Sequence, residues 1–144
     1  MNVTIKEVIK ETKKAVDITD AKVLVSGGRG IGSADYYKEL QKVADLLGGE
    51  ISSSRANVDA GWIAKDRQVG QTGKTVRPDL YLACGISGAI QHIAGMENSE
   101  CVISINKNDT AAIFDVSDLG IVGDVKVIIP KLIDALTKYK AAQN

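Results

Sequence analysis

The sequence predicts an α/β fold: one domain built on a doubly wound, mostly parallel sheet with helices on both faces. Three observations carry this. Short apolar runs recur along the chain, at Val23-Leu24-Val25, Leu80-Tyr81-Leu82-Ala83-Cys84 and Cys101-Val102-Ile103, and they read as continuous rather than alternating, as strands buried on both faces do. The stretches between them carry helical spacing or glycine-punctuated loops. Each run stops at small or polar residues, which is where an open α/β sheet collects its ligand contacts. A chain of 144 residues suits one such domain, and 44% hydrophobic residues suffice for its core.

Residues 1–20 read as a connector. Val3 and Ile5 alternate briefly, and a Lys/Glu-rich stretch follows. The domain is expected over residues 21–140. Val23-Leu24-Val25 forms the first strand and ends at Ser26-Gly27-Gly28. A helix is expected from Asp35 to Leu47, with Tyr36, Leu40, Val43 and Leu47 on its apolar face. Gly48-Gly49 stops it. A second strand fits Glu50 to Ser53 and a third Asp79 to Cys84, with a helix starting at Ser87 or Gly88. A fourth strand fits Cys101 to Ile105. The last helix is expected from Pro130 to Tyr139, with Pro130 near its first turn and Leu132, Ile133 and Leu136 on one face.

Charge and composition exclude several classes. Lys+Arg and Asp+Glu balance at 18 each, which speaks against a nucleic-acid binder. No apolar run approaches the roughly 20 residues that span a bilayer, and Met1 to Lys14 lacks a signal-peptide core. Cys84 and Cys101 lie in apolar runs and read as buried free thiols. One histidine and no Cys-x-x-Cys leave no basis for a zinc site.

The strand ends gather Ser26-Gly27-Gly28-Arg29-Gly30, Ser54-Arg55, Gly85-Ile86-Ser87-Gly88 and Asn106-Lys107 on one edge. Gly28-Arg29-Gly30 begins like a dinucleotide fingerprint, but Ser33 stands where its third glycine belongs, so a plain strand-to-helix turn fits equally well. Arg29 adds a fork of donors for a phosphate. Gly70-Gln71-Thr72-Gly73-Lys74-Thr75 is not a P-loop, because Gln68 occupies the required upstream glycine position. Thr72 can donate or accept a hydrogen bond, which suits a heterocycle that changes protonation on reduction.

A helix beginning at Ser87 or Gly88 would aim free N–H groups and a favourable dipole at an anion, with Gly88 admitting a ligand close to the backbone. His92 follows about one turn in, the only histidine of the chain. Arg55 fits three roles: a surface residue, a 2′-phosphate partner in an NADP site, or a cation against a flavin ring that stabilises its anionic reduced forms. Asn106 and Asp124 end apolar runs and suit a ribose or an adenine. Trp62 reads as core. These residues leave three functions open: an electron-carrying flavin domain, an NAD(P)-binding domain of an oxidoreductase, and a nucleotide-binding domain without redox chemistry.

Several segments together resemble one family. They are Ser26-Gly27-Gly28-Arg29-Gly30-Ile31, Ser54-Arg55-Ala56 through Val58-Asp59-Ala60-Gly61-Trp62, Gln68 to Lys74, Gly85 to His92 and Ile105-Asn106-Lys107. Ile113-Phe114 and Asp118 to Asp124 fit as well. The resemblance is to the C-terminal FAD-binding domain of the electron transfer flavoprotein α subunit, from about Ala21 to about Leu136. It implies a Rossmann-like fold holding one noncovalent FAD, and an electron carrier rather than an enzyme. The cofactor contacts it implies start with Arg29 and the Ser87, Gly88, Ala89, Ile90, Gln91, His92 turn at the phosphate and ribityl region. Thr72, with its neighbours Val69, Gly70 and Gln71, and His92 approach the flavin ring. Arg55 lies against the ring beside Ser54, and Asn106, Asp124 and Val125 serve the adenosine end.

The implied partners are a β subunit and dehydrogenases that deliver electrons for passage to a redox acceptor, with no nucleic acid and no membrane insertion. The implied location is the cytoplasm of a bacterium or the mitochondrial matrix of a eukaryote. In the family a further domain precedes this one, so docking surface and some FAD contacts are expected from elsewhere in the complex.

Overall fold

The computed structural model describes residues 17–143; residues 1–16 of the expected connector lie outside them. Five strands form one all-parallel sheet: β1 (Val23–Gly27), β2 (Glu50–Ser53), β3 (Leu80–Cys84), β4 (Cys101–Asn106) and β5 (Leu119–Val122). Their order is β2-β1-β3-β4-β5. The chain steps outward from β1 to β2, then crosses back to lay β3 on the other side of β1. A parallel bridge from Ser53 to Gln68, with the Val69 amide donating to the Ser53 carbonyl at 2.9 Å, adds one further rung beyond β2. That rung stands where the outer strand of the dinucleotide-binding order 3-2-1-4-5-6 would run, and the sheet is Rossmann-like.

The continuous apolar runs have the cause expected of them. Four of the five residues of β1 and of β3 are buried, because both sheet faces are covered. On one face Val25, Leu82, Cys84 and Ile105 meet helices α1 (Tyr37–Leu47) and the long C-terminal Val125–Gln143. α1 buries Tyr37, Leu40, Val43 and Ala44, and Gly48 ends it in the left-handed conformation (φ +71°). The opposite face packs Leu24, Tyr81, Ala83 and Val102 against Ile18, Val69, Val76, Ile86, Met96 and Ile113. Ile18, from the turn just before β1, is fully buried there, so the end of the expected connector packs into the domain.

Several elements differ from the sequence reading. The helix expected from Asp35 starts as a 3₁₀ turn, Ala34–Tyr36, which leaves Tyr36 only half-buried. A five-residue helix, α2 (Arg55–Asp59), and the edge strand β5 were not anticipated. The helix expected at Ser87 or Gly88 is α3 (Ile90–Met96). Gly88 has φ +95° and Ala89 is extended, so neither lies in the helix. The last helix, α4 (Val125–Gln143), begins five residues before Pro130, which lies in its second turn rather than its first. Of the two thiols, Cys84 is fully buried and its pKa is pushed up by desolvation, whereas Cys101 is only half-buried. Trp62 packs half-buried against the α1 side of the core.

Candidate functional site

All five strands are parallel, so their carboxyl ends open on one edge. A cavity of about 590 Å³ lies there, over the β1/β3 crossover. That volume falls in the range of small-molecule and cofactor sites. Three cations line it, Arg29, Arg55 and Lys107, and not one carboxylate. Arg55 and Lys107 are paired with Asp59 and Asp124 outside the lining, so among the described residues Arg29 is the cation left without an ion pair there, suited to an anionic ligand.

The cavity floor is backbone. The Gly28 amide donates to the Cys84 carbonyl at 2.9 Å, and the Gly30 amide to the Gly85 carbonyl at 3.0 Å. A Cβ on Gly30 would lie 2.6 Å from the Gly85 Cα, and Gly85 itself has φ +68°. The glycines of the first turn are therefore consumed by the crossing of two loops. At Gly88 a Cβ would run into the Ile113 backbone nitrogen, so packing against that segment alone already requires glycine at this cavity-lining position.

Of the expected contact residues, Arg29, Ser54, Arg55, Val69, Gly70, Gln71 and Thr72 line the cavity from its β1 and β2 side. Ser87, Gly88, Ala89, Gln91 and His92 line it from the segment after β3, and Asn106 and Val125 from the β4 side. Two stand apart. Ile90 points outward and is 83% exposed. Asp124 caps α4, accepting the Lys126 amide at 2.9 Å, and reaches Lys107 at 3.7 Å. Lining residues absent from the expected set include Lys107, Gln68 and Ile86. Lys107 carried a legible signal, a cation directly after a strand; Gln68 carried none, because its place depends on the bridge to Ser53.

Hydrogen bonds set what each group can still do. Gln68 Nε2 donates to Thr72 Oγ1 at 3.0 Å, which leaves the Thr72 proton free for an acceptor in the cavity. Arg55 Nε pairs with Asp59 at 3.2 Å on an exposed turn of α2, leaving the guanidinium's terminal nitrogens unengaged. Such an exposed pair holds the side chain only weakly. Asn106 is more committed: Nδ2 donates to the Ile86 carbonyl at 2.9 Å and Oδ1 accepts the Asn108 amide at 2.9 Å. The Gln71 amide donates to the Gln91 carbonyl at 2.8 Å, fastening the Thr72 loop to α3.

His92 is 5% exposed, and burial lowers its pKa to about 4, the Val69 backbone opposing the shift. It is a neutral imidazole at pH 7. Its Nε2 lies 2.7 Å from the Tyr81 hydroxyl, and its Nδ1 is buried without a hydrogen-bond partner.

Residues 17–97 match the model of the electron transfer flavoprotein FAD-binding domain. The chain belongs to the electron transfer flavoprotein α-subunit family. It is 57% identical over 133 residues to the electron transfer flavoprotein subunit alpha of Thermoanaerobacterium thermosaccharolyticum, covering 92% of this chain and 40% of that relative. With the same subunit of Clostridium acetobutylicum it shares 55% over 140 residues, 97% of this chain and 41% of the relative. The acryloyl-CoA reductase electron transfer subunit beta of Anaerotignum propionicum is 52% identical over 139 residues, 94% and 38%. The chain thus spans about two-fifths of the length of the curated family members it matches. Among the described residues no helix is long and apolar enough to cross a membrane.

Proposed function

We propose that this chain binds FAD noncovalently in the cavity at the strand ends and serves as the flavin-holding part of an electron transfer flavoprotein. The observation that carries the reading is the cavity's lining: three cations, no carboxylate, and a threonine whose hydroxyl proton is left free. His92 lines the cavity, and its buried Nδ1 makes no hydrogen bond within the described residues, which fits a site completed by a bound group.

In this reading Arg29 and Lys107 hold the diphosphate, the fork of Arg29 supplying paired donors. Thr72 donates to the heterocycle. Arg55 lies close to it and favours negative charge on it, and it does so from a flexible, weakly paired side chain. Val125 and Asn106 border the nucleoside end. FAD, when bound, supplies reversible electron transfer, while the chain contributes placement and electrostatics. We read the chain as an electron carrier rather than an enzyme, in keeping with the electron transfer flavoproteins it resembles. The partners proposed are a β subunit that completes the flavin site, dehydrogenases that deliver electrons, and a redox acceptor that takes them.

The test is direct. The purified chain, titrated with FAD, should quench flavin fluorescence at saturation and release the flavin on denaturation. A chain that ignores FAD but binds NADPH would overturn the proposal in favour of a pyridine-nucleotide domain.

A further inference from the structure

Behind the β2 side of the cavity lies a buried polar network that the site as described does not use. Ser54, Arg55 and Ala56 line the cavity and lead into α2, yet little in α2 itself holds them in place. The helix has five residues, too few to be stable alone. The Ser54 side chain does not cap it, and its Arg55–Asp59 pair is exposed. Its one buried residue is polar: Asn57, which is completely enclosed.

Asn57 reaches back to the end of β1. Its Nδ2 donates to the Gly27 carbonyl at 3.2 Å and to the Tyr37 hydroxyl at 2.9 Å. A carbonyl can only accept, so the amide nitrogen and not Oδ1 faces Gly27. The same carbonyl takes the Ser54 amide at 3.1 Å. The last carbonyl of β1 therefore holds both the backbone that enters α2 and the one side chain α2 buries. Tyr37, the first residue of α1, closes the ring. Its hydroxyl lies 2.8 Å from Ser53 Oγ, which lies 2.9 Å from the Ser54 carbonyl oxygen. At the far end of α2 the Trp62 amide donates to the Asn57 main-chain carbonyl at 2.9 Å. The arrangement has a cost: Asn57 Oδ1 is buried without a partner among the described residues, a penalty that an apolar side chain would avoid.

We propose that Asn57 and Tyr37 are positioning residues that clamp the Ser54–Arg55 turn to the end of β1, and so set the point on the cavity rim from which Arg55 reaches inward. The Arg55 side chain is exposed and weakly paired, so its placement comes from its backbone, and the backbone is placed by the clamp. That Arg55 acts on a bound flavin from this point rests on the function proposed above; the clamp does not.

Amide hydrogen exchange, followed by NMR on the chain without FAD, reads the clamp directly. In Asn57→Ala the protection of the Ser54, Ala60 and Trp62 amides should fall about tenfold relative to Val25 and Leu82 in the sheet, the loss expected for local opening after a buried hydrogen-bonding group is removed. Tyr37→Phe removes only the hydroxyl; it should lower the same amides about fivefold, and it carries the test should Asn57→Ala not fold. With FAD bound, either variant should lower the flavin's midpoint potential in the direction of Arg55→Ala, and should add nothing to the shift when combined with Arg55→Ala. A merely structural role would leave the potential unmoved. Wild-type protection at Ser54, Ala60 and Trp62 in the folded variants overturns the proposal, as does a potential that Arg55→Ala shifts and the clamp variants do not. Failure of the wild-type chain to bind FAD would instead overturn the flavin reading and leave the exchange result standing.

Discussion

Acid should destabilise this protein in a window set by one residue. His92 has a pKa near 4 in the folded chain, against 6.5 for a free histidine. Between those values the unfolded chain binds a proton that the folded chain refuses, so stability rises with pH. It is fully present above the unfolded value and is lost as pH falls toward the folded one. The linkage relation gives a loss of about 2 kcal/mol between pH 7 and pH 5, growing to about 3 kcal/mol at pH 4. Asp17, whose pKa lies below the usual carboxylate value because it accepts hydrogen bonds from the Thr19 backbone, acts only in a more acidic range. Urea unfolding of the chain without added FAD, followed through the single Trp62, should therefore show midpoints falling steadily from pH 7 to pH 4.5. His92→Gln keeps a neutral polar side chain there and should flatten that slope while starting from lower stability. Parallel slopes in wild type and variant would refute the reasoning.

Further outcomes follow from the site. Gly88→Ala would combine a left-handed φ of +95° with a Cβ 2.3 Å from the Ile113 nitrogen, and should cost about 2 kcal/mol or more in urea unfolding. Arg29→Ala should weaken FAD binding about tenfold, as expected for a charge-assisted contact, and reduce the salt dependence of the affinity measured by fluorescence titration. Arg55→Ala should leave the unfolding midpoint within about 0.5 kcal/mol of wild type, because its pair with Asp59 is exposed. The same variant should lower the flavin's midpoint potential on stepwise reduction; an unchanged titration would remove Arg55 from the electrostatics of the ring.

The sheet was legible because its strands are buried on both faces. β1, β3 and β4 carry continuous apolar runs with polar stops, whereas β2, Glu50–Ser53, is marked by the Gly48-Gly49 stop before it; the expected bounds of all four lie within two residues of those observed. β5 was not, because Leu119-Gly120-Ile121-Val122 pairs on one side only and leaves Leu119 and Val122 exposed. α2 is too short to show a period. α4 starts upstream of Pro130 because this proline sits in the second turn and not the first; the signal for the start is Asp124, a capping residue directly before Val125. The cavity's location followed from the strand ends alone. The state of His92 did not follow, since its partner Tyr81 lies eleven residues back and meets it only through the packing of α3 on β3.

The crossing of Gly28 and Gly30 over Gly85 has a bearing on how this surface can change. Two loops that lie far apart in sequence share their hydrogen bonds and leave no room for a side chain between them. A change in the backbone of one is therefore felt directly by the other. Truncating the side chains around the cavity one at a time would alter its charge and its rim yet leave its floor unread, since the floor is made of main chain. Redesign of the ligand preference is open at the cations, at Thr72 and at the α3 side, while the floor beneath them admits change only if both loops are rebuilt together.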